Sequence, residues 1–260
     1  MEDNQEIPDL SYGACLIGPP GSGKTSAIKA LKEMCEKLSR HVIVMNLDPA
    51  NDQLPYQADF DICSTINVKD VMATTALGPN GGLIYCMESL AENIDAVADV
   101  IRPRVQKASY FLIDFPGQVE LYTHSECIRQ FLDKFQKDLK LKLATVNLVD
   151  VVLASTKQGY LGQSLMSIGM MLRLYTPHIN VLSKFDLVET GEVELPFETE
   201  TCDFEDMVCS GTPSKLHQKI VELLCDYDLV SYEYFSVTDE SSVMHLIELI
   251  DKAVGCSWML

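Results

Sequence analysis

The chain has 260 residues, 47% hydrophobic and 22% charged, a composition that supports a sizeable core in one enlarged α/β domain. Thirty-eight acidic against 20 basic residues give a net charge of −18, which disfavours nucleic acid and anionic membrane; it reads as a solvated acidic surface, with a basic protein surface as the alternative partner. Nine scattered cysteines without a CxxC pair, no apolar run near the roughly 20 residues of a membrane span, and an acidic segment 1–9 without an apolar h-region predict reduced thiols in a soluble cytoplasmic protein.

Residues 12–17 form an apolar run, and a helical pattern covers 26–38; between them lies Gly18-Pro19-Pro20-Gly21-Ser22-Gly23-Lys24-Thr25. The octapeptide satisfies GxxxxGK[ST] in the strand-to-helix context that such a phosphate loop requires. Gly18, Gly21 and Gly23 let backbone N–H groups turn inward toward phosphate oxygens. Lys24 then reaches the β- and γ-phosphates, and the Thr25 hydroxyl is a Mg²⁺ ligand. The predicted nucleotide contacts run from Gly18 through Pro19, Gly21, Ser22, Gly23, Lys24 and Thr25 to Ser26.

Residues 41–47 read as a buried parallel strand that ends in Asp48-Pro49-Ala50-Asn51. A carboxylate at a strand tip beside the phosphate loop suits Asp48 to hold Mg²⁺ through water or to orient an attacking water; an Asp-Pro turn is the bland alternative. The polar stretch 52–67 is expected to be irregular, and 68–77 a short amphipathic helix broken by Gly78-Pro79-Asn80-Gly81-Gly82, which local rules make a tight turn. Over 88–105, Leu90, Ile94, Val97 and Ile101 at spacings of three and four predict one long helix packed on the core.

Residues 109–113 form the next buried strand and deliver Asp114-Phe115-Pro116-Gly117-Gln118. A hydrophobic strand ending in Asp-x-x-Gly places Asp114 at Mg²⁺, the Gly117 N–H at the γ-phosphate and Gln118 at the attacking water. Helices are expected over 123–139 and 161–175, and strands over 143–149 and 177–182, the latter ending in Ser183-Lys184-Phe185-Asp186. One carboxylate can accept from both guanine N1–H and the 2-amino group, so Asp186 selects guanine over adenine while the Lys184 stem covers the base. Ser183 stands where the [NT]KxD element has an amide or a threonine, removing a side-chain amide that often braces the loop. Residues 189–214 read as a surface excursion, 215–227 as a helix, 229–237 as a strand and 241–254 as a closing helix. Backbone groups of Ser236-Val237-Thr238 are the expected completion of the base pocket.

Taken together, GPPGSGKT (18–25), NLDPAN (46–51), GPNGG (78–82) with YCME (85–88), DFPGQVEL (114–121) and PHINVLSKFDL (177–187) resemble the GPN-loop GTPases, above all their second eukaryotic branch, over nearly the whole chain. The resemblance implies a single P-loop NTPase domain of the SIMIBI class over 1–260: an α/β fold with a mostly parallel sheet, helices on both faces, and a GPN insertion at about 67–106. It also implies Mg²⁺-dependent conversion of GTP to GDP and phosphate in a homodimer or a heterodimer with a paralogue. Asn80 then approaches the partner's nucleotide near its terminal phosphate, and Asp48 and Gln118 handle metal and water. The element SKxD is itself shared with the resembling branch. By resemblance alone the partners are RNA polymerase II subunits or assembly factors, and the location is cytoplasmic with shuttling to the nucleus. Two alternatives stand beside this: a GTP-bound scaffold whose hydrolysis is incidental, and an ATP-using relative of the septum-positioning ATPases.

Overall fold

The computed structural model describes residues 10–195 and 230–256, together with Lys219, Glu222 and Leu224. Apolar runs with no polar alternation require cover on both faces, and that is how the strands are used. Strands β1 (Ser11–Ile17), β2 (Val42–Asn46), β3 (Phe60–Asp61), β4 (Tyr110–Asp114), β5 (Leu141–Asp150), β6 (His178–Ser183) and β7 (Tyr232–Phe235) form one sheet in the order β3-β2-β4-β1-β5-β6-β7, and every pairing is parallel.

Alternate side chains divide between two cores. Tyr12, Ala14 and Leu16 of β1 face α1 (Lys24–Lys37) and the last helix of the chain, α10 (Glu240–Val254), through Ile28, Leu31, Leu246 and Ile250. Cys15 and Ile17 face the other side, with Phe111 and Ile113 of β4. There the cover comes from α3 (Pro79–Glu92), α4 (Ile94–Ile101), α6 (Cys127–Asp138) and α8 (Lys157–Leu174). Leu90, Ile94, Val97 and Ile101 all enter this second core, as their spacing predicts. No helix among the described residues is long and apolar enough to cross a membrane.

Several boundaries differ from the sequence reading. Gly78 is extended (φ −77°, ψ 177°) and Pro79 occupies the first turn of α3, so Gly78-Pro79-Asn80 is a helix start and not a tight turn. Pro has no N–H to lose at that position and its φ is preset for helix. Gly82 is buried where α3 crosses α2 (Val68–Thr74), against Val68 and Met72. The helix expected over 88–105 is two helices, because Asn93 ends α3 by bonding Ser89 O through both its backbone N–H (3.1 Å) and its side-chain amide (2.8 Å). A short strand, β3, lies inside the stretch expected to be irregular. The helix expected from 123 splits into α5 (Glu120–Thr123) and α6, with Ser125 Oγ accepting from the Cys127 N–H between them. An unexpected single turn, α7 (Val151–Ala154), precedes α8, which starts at Lys157 and not 161. A further short helix, α9 (Asp186–Glu189), follows β6. Most of the excursion expected over 189–214, and the helix over 215–227, lie outside the described residues.

At the edge of the sheet remote from the strand tips, Arg40 forms a two-pronged pair with Asp251 of α10 (2.9 and 2.5 Å), and its guanidinium lies 4.8 Å from the Tyr110 ring centre. The two side chains are only 13% and 6% exposed, so neither charge has water to fall back on. Arg40→Ala, which strands the Asp251 carboxylate, is expected to lower unfolding free energy by about 3–5 kcal/mol in urea titrations, whereas the double change Arg40→Met/Asp251→Leu recovers most of that loss.

Candidate functional site

The site is built from the carboxyl ends of the central strands. Leu16, Asp114 and Asn46 stand abreast in β1, β4 and β2, so the loops after these strands open on the same side of the sheet. After β1 the chain turns through Gly18, Gly21 and Gly23 at φ 135°, 80° and 90°, values that side chains resist, and α1 begins at Lys24. A cleft of about 820 Å³ lies above it, lined among others by Lys24, Thr25, Asp48, Asn80, Gly117 and Gln118. Thus segments far apart in sequence contribute to one cavity. Pro79 and Asn80 line the cleft of their own chain.

Lys24 is 7% exposed, and its ammonium donates to the carbonyls of Gly18 (2.9 Å) and Pro19 (3.2 Å). Burial pushes its pKa down, against the opposing pull of Asp114 and Asp48. Gly117 packs so closely over the loop that a Cβ there would sit 2.8 Å from Pro20 N and 3.1 Å from Lys24 Nζ. Only glycine lets the Asp-x-x-Gly turn approach the phosphate cradle.

The Thr25 hydroxyl donates to Asp114 Oδ2 (2.9 Å), which also accepts from the Tyr56 hydroxyl (3.0 Å). Asn51 Nδ2 in turn donates to Thr25 Oγ1 (3.2 Å). The other oxygen, Asp114 Oδ1, is buried without a protein partner, as are Gln118 Oε1 and Ser22 Oγ. Burial pushes the Asp114 carboxyl up to about 6; its bond from Thr25, the Lys24 charge and the bond from Tyr56 act the other way. Asp48 is likewise raised by burial, while the Ala50 N–H on its Oδ1 (3.0 Å) and Lys24 counter that rise. Asp48 therefore makes the local turn and also lines the cleft. A hydroxyl, an unpartnered carboxylate oxygen and a second carboxylate are hard oxygen donors, and Thr25, Asp114 and Asp48 fit a Mg²⁺ ion on that chemistry.

Around the base-binding element the hydroxyl of Ser183 donates to Ser22 O (2.7 Å), with Val149 O at 3.2 Å. The brace that the missing amide was expected to remove is therefore supplied by a shorter side chain reaching the phosphate loop directly. Lys184 adopts φ 58° and pairs with Asp150 (2.6 Å), which fixes its stem along the cleft. Asp186 Oδ1 accepts from the side-chain hydroxyl of Ser236 (2.9 Å), so the loop at 236–238 reaches Asp186 through a side chain. The Ser236 N–H is held by Ser242 Oγ of α10 (3.1 Å). Asn51, Tyr56, Asp150 and the Ser236 hydroxyl escaped the sequence reading. Asp150 sits at a strand tip and Asn51 in the loop that follows one, which is a usable signal; Tyr56 lies in a stretch without periodicity and gave none.

A protein-family model described as "Conserved hypothetical ATP binding protein" matches residues 16–256. The chain is 40% identical over 256 residues to GPN-loop GTPase QQT1 of Arabidopsis thaliana, covering 95% of this chain and 86% of that protein. It is 39% identical over 262 residues to GPN-loop GTPase 2 of Danio rerio (97% and 83% covered) and 37% identical over 260 residues to GPN-loop GTPase 2 of Saccharomyces cerevisiae (95% and 75%). The crystal structure of a GTPase in apo form from Pyrococcus abyssi shares the fold, with a TM-score of 0.77 at 21% identity over 96% of this chain and 99% of that one. Extending over nearly its full length, these matches show that the chain belongs to the GPN-loop GTPase family.

Proposed function

We propose that this chain is a Mg²⁺-dependent GTPase that converts GTP to GDP and phosphate. The observation that carries the reading is the convergence of Lys24, Thr25, Asp48, Asn80, Gly117 and Gln118 on one cleft. The amides of the phosphate loop receive the β- and γ-phosphates. Lys24 exchanges two loop carbonyls for phosphate oxygens, an exchange of weak dipoles for full charges. Gln118 offers the buried Oε1 to orient a water at the γ-phosphorus. A bound Mg²⁺ supplies charge neutralisation at the phosphate oxygens, held through Thr25, Asp114 and Asp48. Asp186 reads the guanine edge, and Ser236 holds its carboxylate for that task.

A dimer, with a second copy or with a paralogue, completes the unit. Support comes from the surface around Gly78-Pro79-Asn80, where Met72, Leu77 and Tyr85 are 37%, 41% and 48% exposed beside the cleft. The family resemblance adds a role in the assembly and nuclear import of RNA polymerase II.

Lys24→Ala is expected to abolish phosphate release; undiminished release from that variant would sink the assignment. Asp186→Asn is expected to raise the KM for GTP roughly 10- to 100-fold and to favour xanthosine triphosphate, whose C2 oxygen suits a carboxamide donor. Preference for ATP in the unaltered protein would contradict the guanine reading. For the dimer, solution mass with a non-hydrolysable GTP analogue and Mg²⁺ should double and should stay monomeric in Leu77→Asp. For the cellular role, Gln118→Leu is expected to keep GTP binding, to lose turnover about a hundredfold, and to leave polymerase subunits in the cytoplasm. Normal import with that variant would make hydrolysis incidental.

A further inference from the structure

We infer that Tyr56 and Asn51 are positioning residues that hold the two donors of the cation site, Asp114 and Thr25, in their binding orientation. The inference rests on the Mg²⁺-dependent GTPase reading above and deepens it. Thr25 Oγ1 is left with one open lone pair and Asp114 with one open oxygen. A hydroxyl has one proton and two lone pairs. The Thr25 proton is spent on Asp114 Oδ2 and one lone pair receives the Asn51 amide, so a single lone pair remains. Asp114 Oδ2 accepts from both Thr25 and Tyr56, and Oδ1 is left buried with no protein partner. Neither ligand can rotate without breaking two hydrogen bonds.

The placement of Tyr56 adds a second observation. Its neighbours Asp52, Gln53, Pro55 and Gln57 are all exposed, whereas Tyr56 turns inward and packs at the edge of the core that contains Tyr12, Leu16 and Ile28. The segment after β2 is thus anchored on the carboxylate at the end of β4 by one phenolic hydroxyl. Packing alone would be met by phenylalanine; only the hydroxyl reaches Asp114.

The test uses the full chain with Tyr56→Phe and Asn51→Ala, and reads retention of a fluorescent GTP analogue as Mg²⁺ is titrated, alongside the same measurement in EDTA. Both variants are expected to raise the Mg²⁺ concentration for half-saturation about tenfold, the worth of one hydrogen bond, charge-assisted for Tyr56 and neutral for Asn51. Affinity for the analogue in EDTA should stay at the unaltered protein's value. Equal losses with and without Mg²⁺ would mark a merely structural role and overturn the inference. So would an unchanged half-saturation, or a lowered one, which would make Tyr56 a plug of the site. If the unaltered protein binds the analogue indifferently to Mg²⁺, the GTPase reading beneath falls as well, which separates the two failures.

Discussion

One hydrogen bond ties this structure together at its working edge: the Thr25 hydroxyl on Asp114 Oδ2. Thr25 lies on α1, just after β1, whereas Asp114 ends β4, and the two strands are neighbours although nearly ninety residues separate the partners. The parallel register that sets Leu16 beside Asp114 brings the bond within reach. Everything else at the site is placed relative to it. Gly117 closes down on Pro20 because the chain leaving Asp114 is held there, and Lys24 is buried because Gly117 covers it.

The electrostatics of the whole chain and of the site point in opposite directions, and the local arrangement wins. A net charge of −18 repels a nucleoside triphosphate at long range. At close range a polyanion meets inward amides, the Lys24 ammonium and carboxylates whose burial already disfavours their charge. Solvent screening confines the repulsion to roughly a Debye length of 8–10 Å, while the donors act at hydrogen-bond distance. Capture of an anion there therefore depends on the shape of the loop and not on the net charge.

How much of this could be read from the chain depended on whether a residue's role was set by its neighbours in sequence. The glycine-rich turn between β1 and α1, the strand ends at or just before Asp48, Asp114 and Asp186, and the two-sided burial of the strands are all local signals, and the fold has these elements at those positions. The failures are places where tertiary partners decide. Gly78-Pro79-Asn80 has turn chemistry, yet packing of α3 on α2 and on the core makes it a helix start. Asn93 divides a continuous apolar stripe because its amide reaches back to Ser89. Ser183 seemed a loss beside an amide, and only the approach of Ser22 O shows that a short hydroxyl spans the gap. Tyr56 belongs to an aperiodic stretch, and its partner lies 58 residues away.

Part of the unmet bonding among the described residues lies at this site. Among the described residues, Ser22 Oγ, Asp114 Oδ1 and Gln118 Oε1 are buried without a protein partner in and beside the loops after β1 and β4, as are Tyr110 Oη, Asn147 Oδ1 and both ring nitrogens of His178 elsewhere, and Lys24 donates to carbonyls of its own loop. Buried polar groups left in this condition cost stability, typically about 1–3 kcal/mol each when nothing replaces water. A ligand that met the three at the site would recover that cost as binding free energy. Arg40 and Asp251, at the opposite edge of the sheet, are fully paired and hold α10 in place. Because α10 also fixes the Ser236 loop through Ser242, stability concentrated at one end of the sheet keeps the incompletely satisfied end in register.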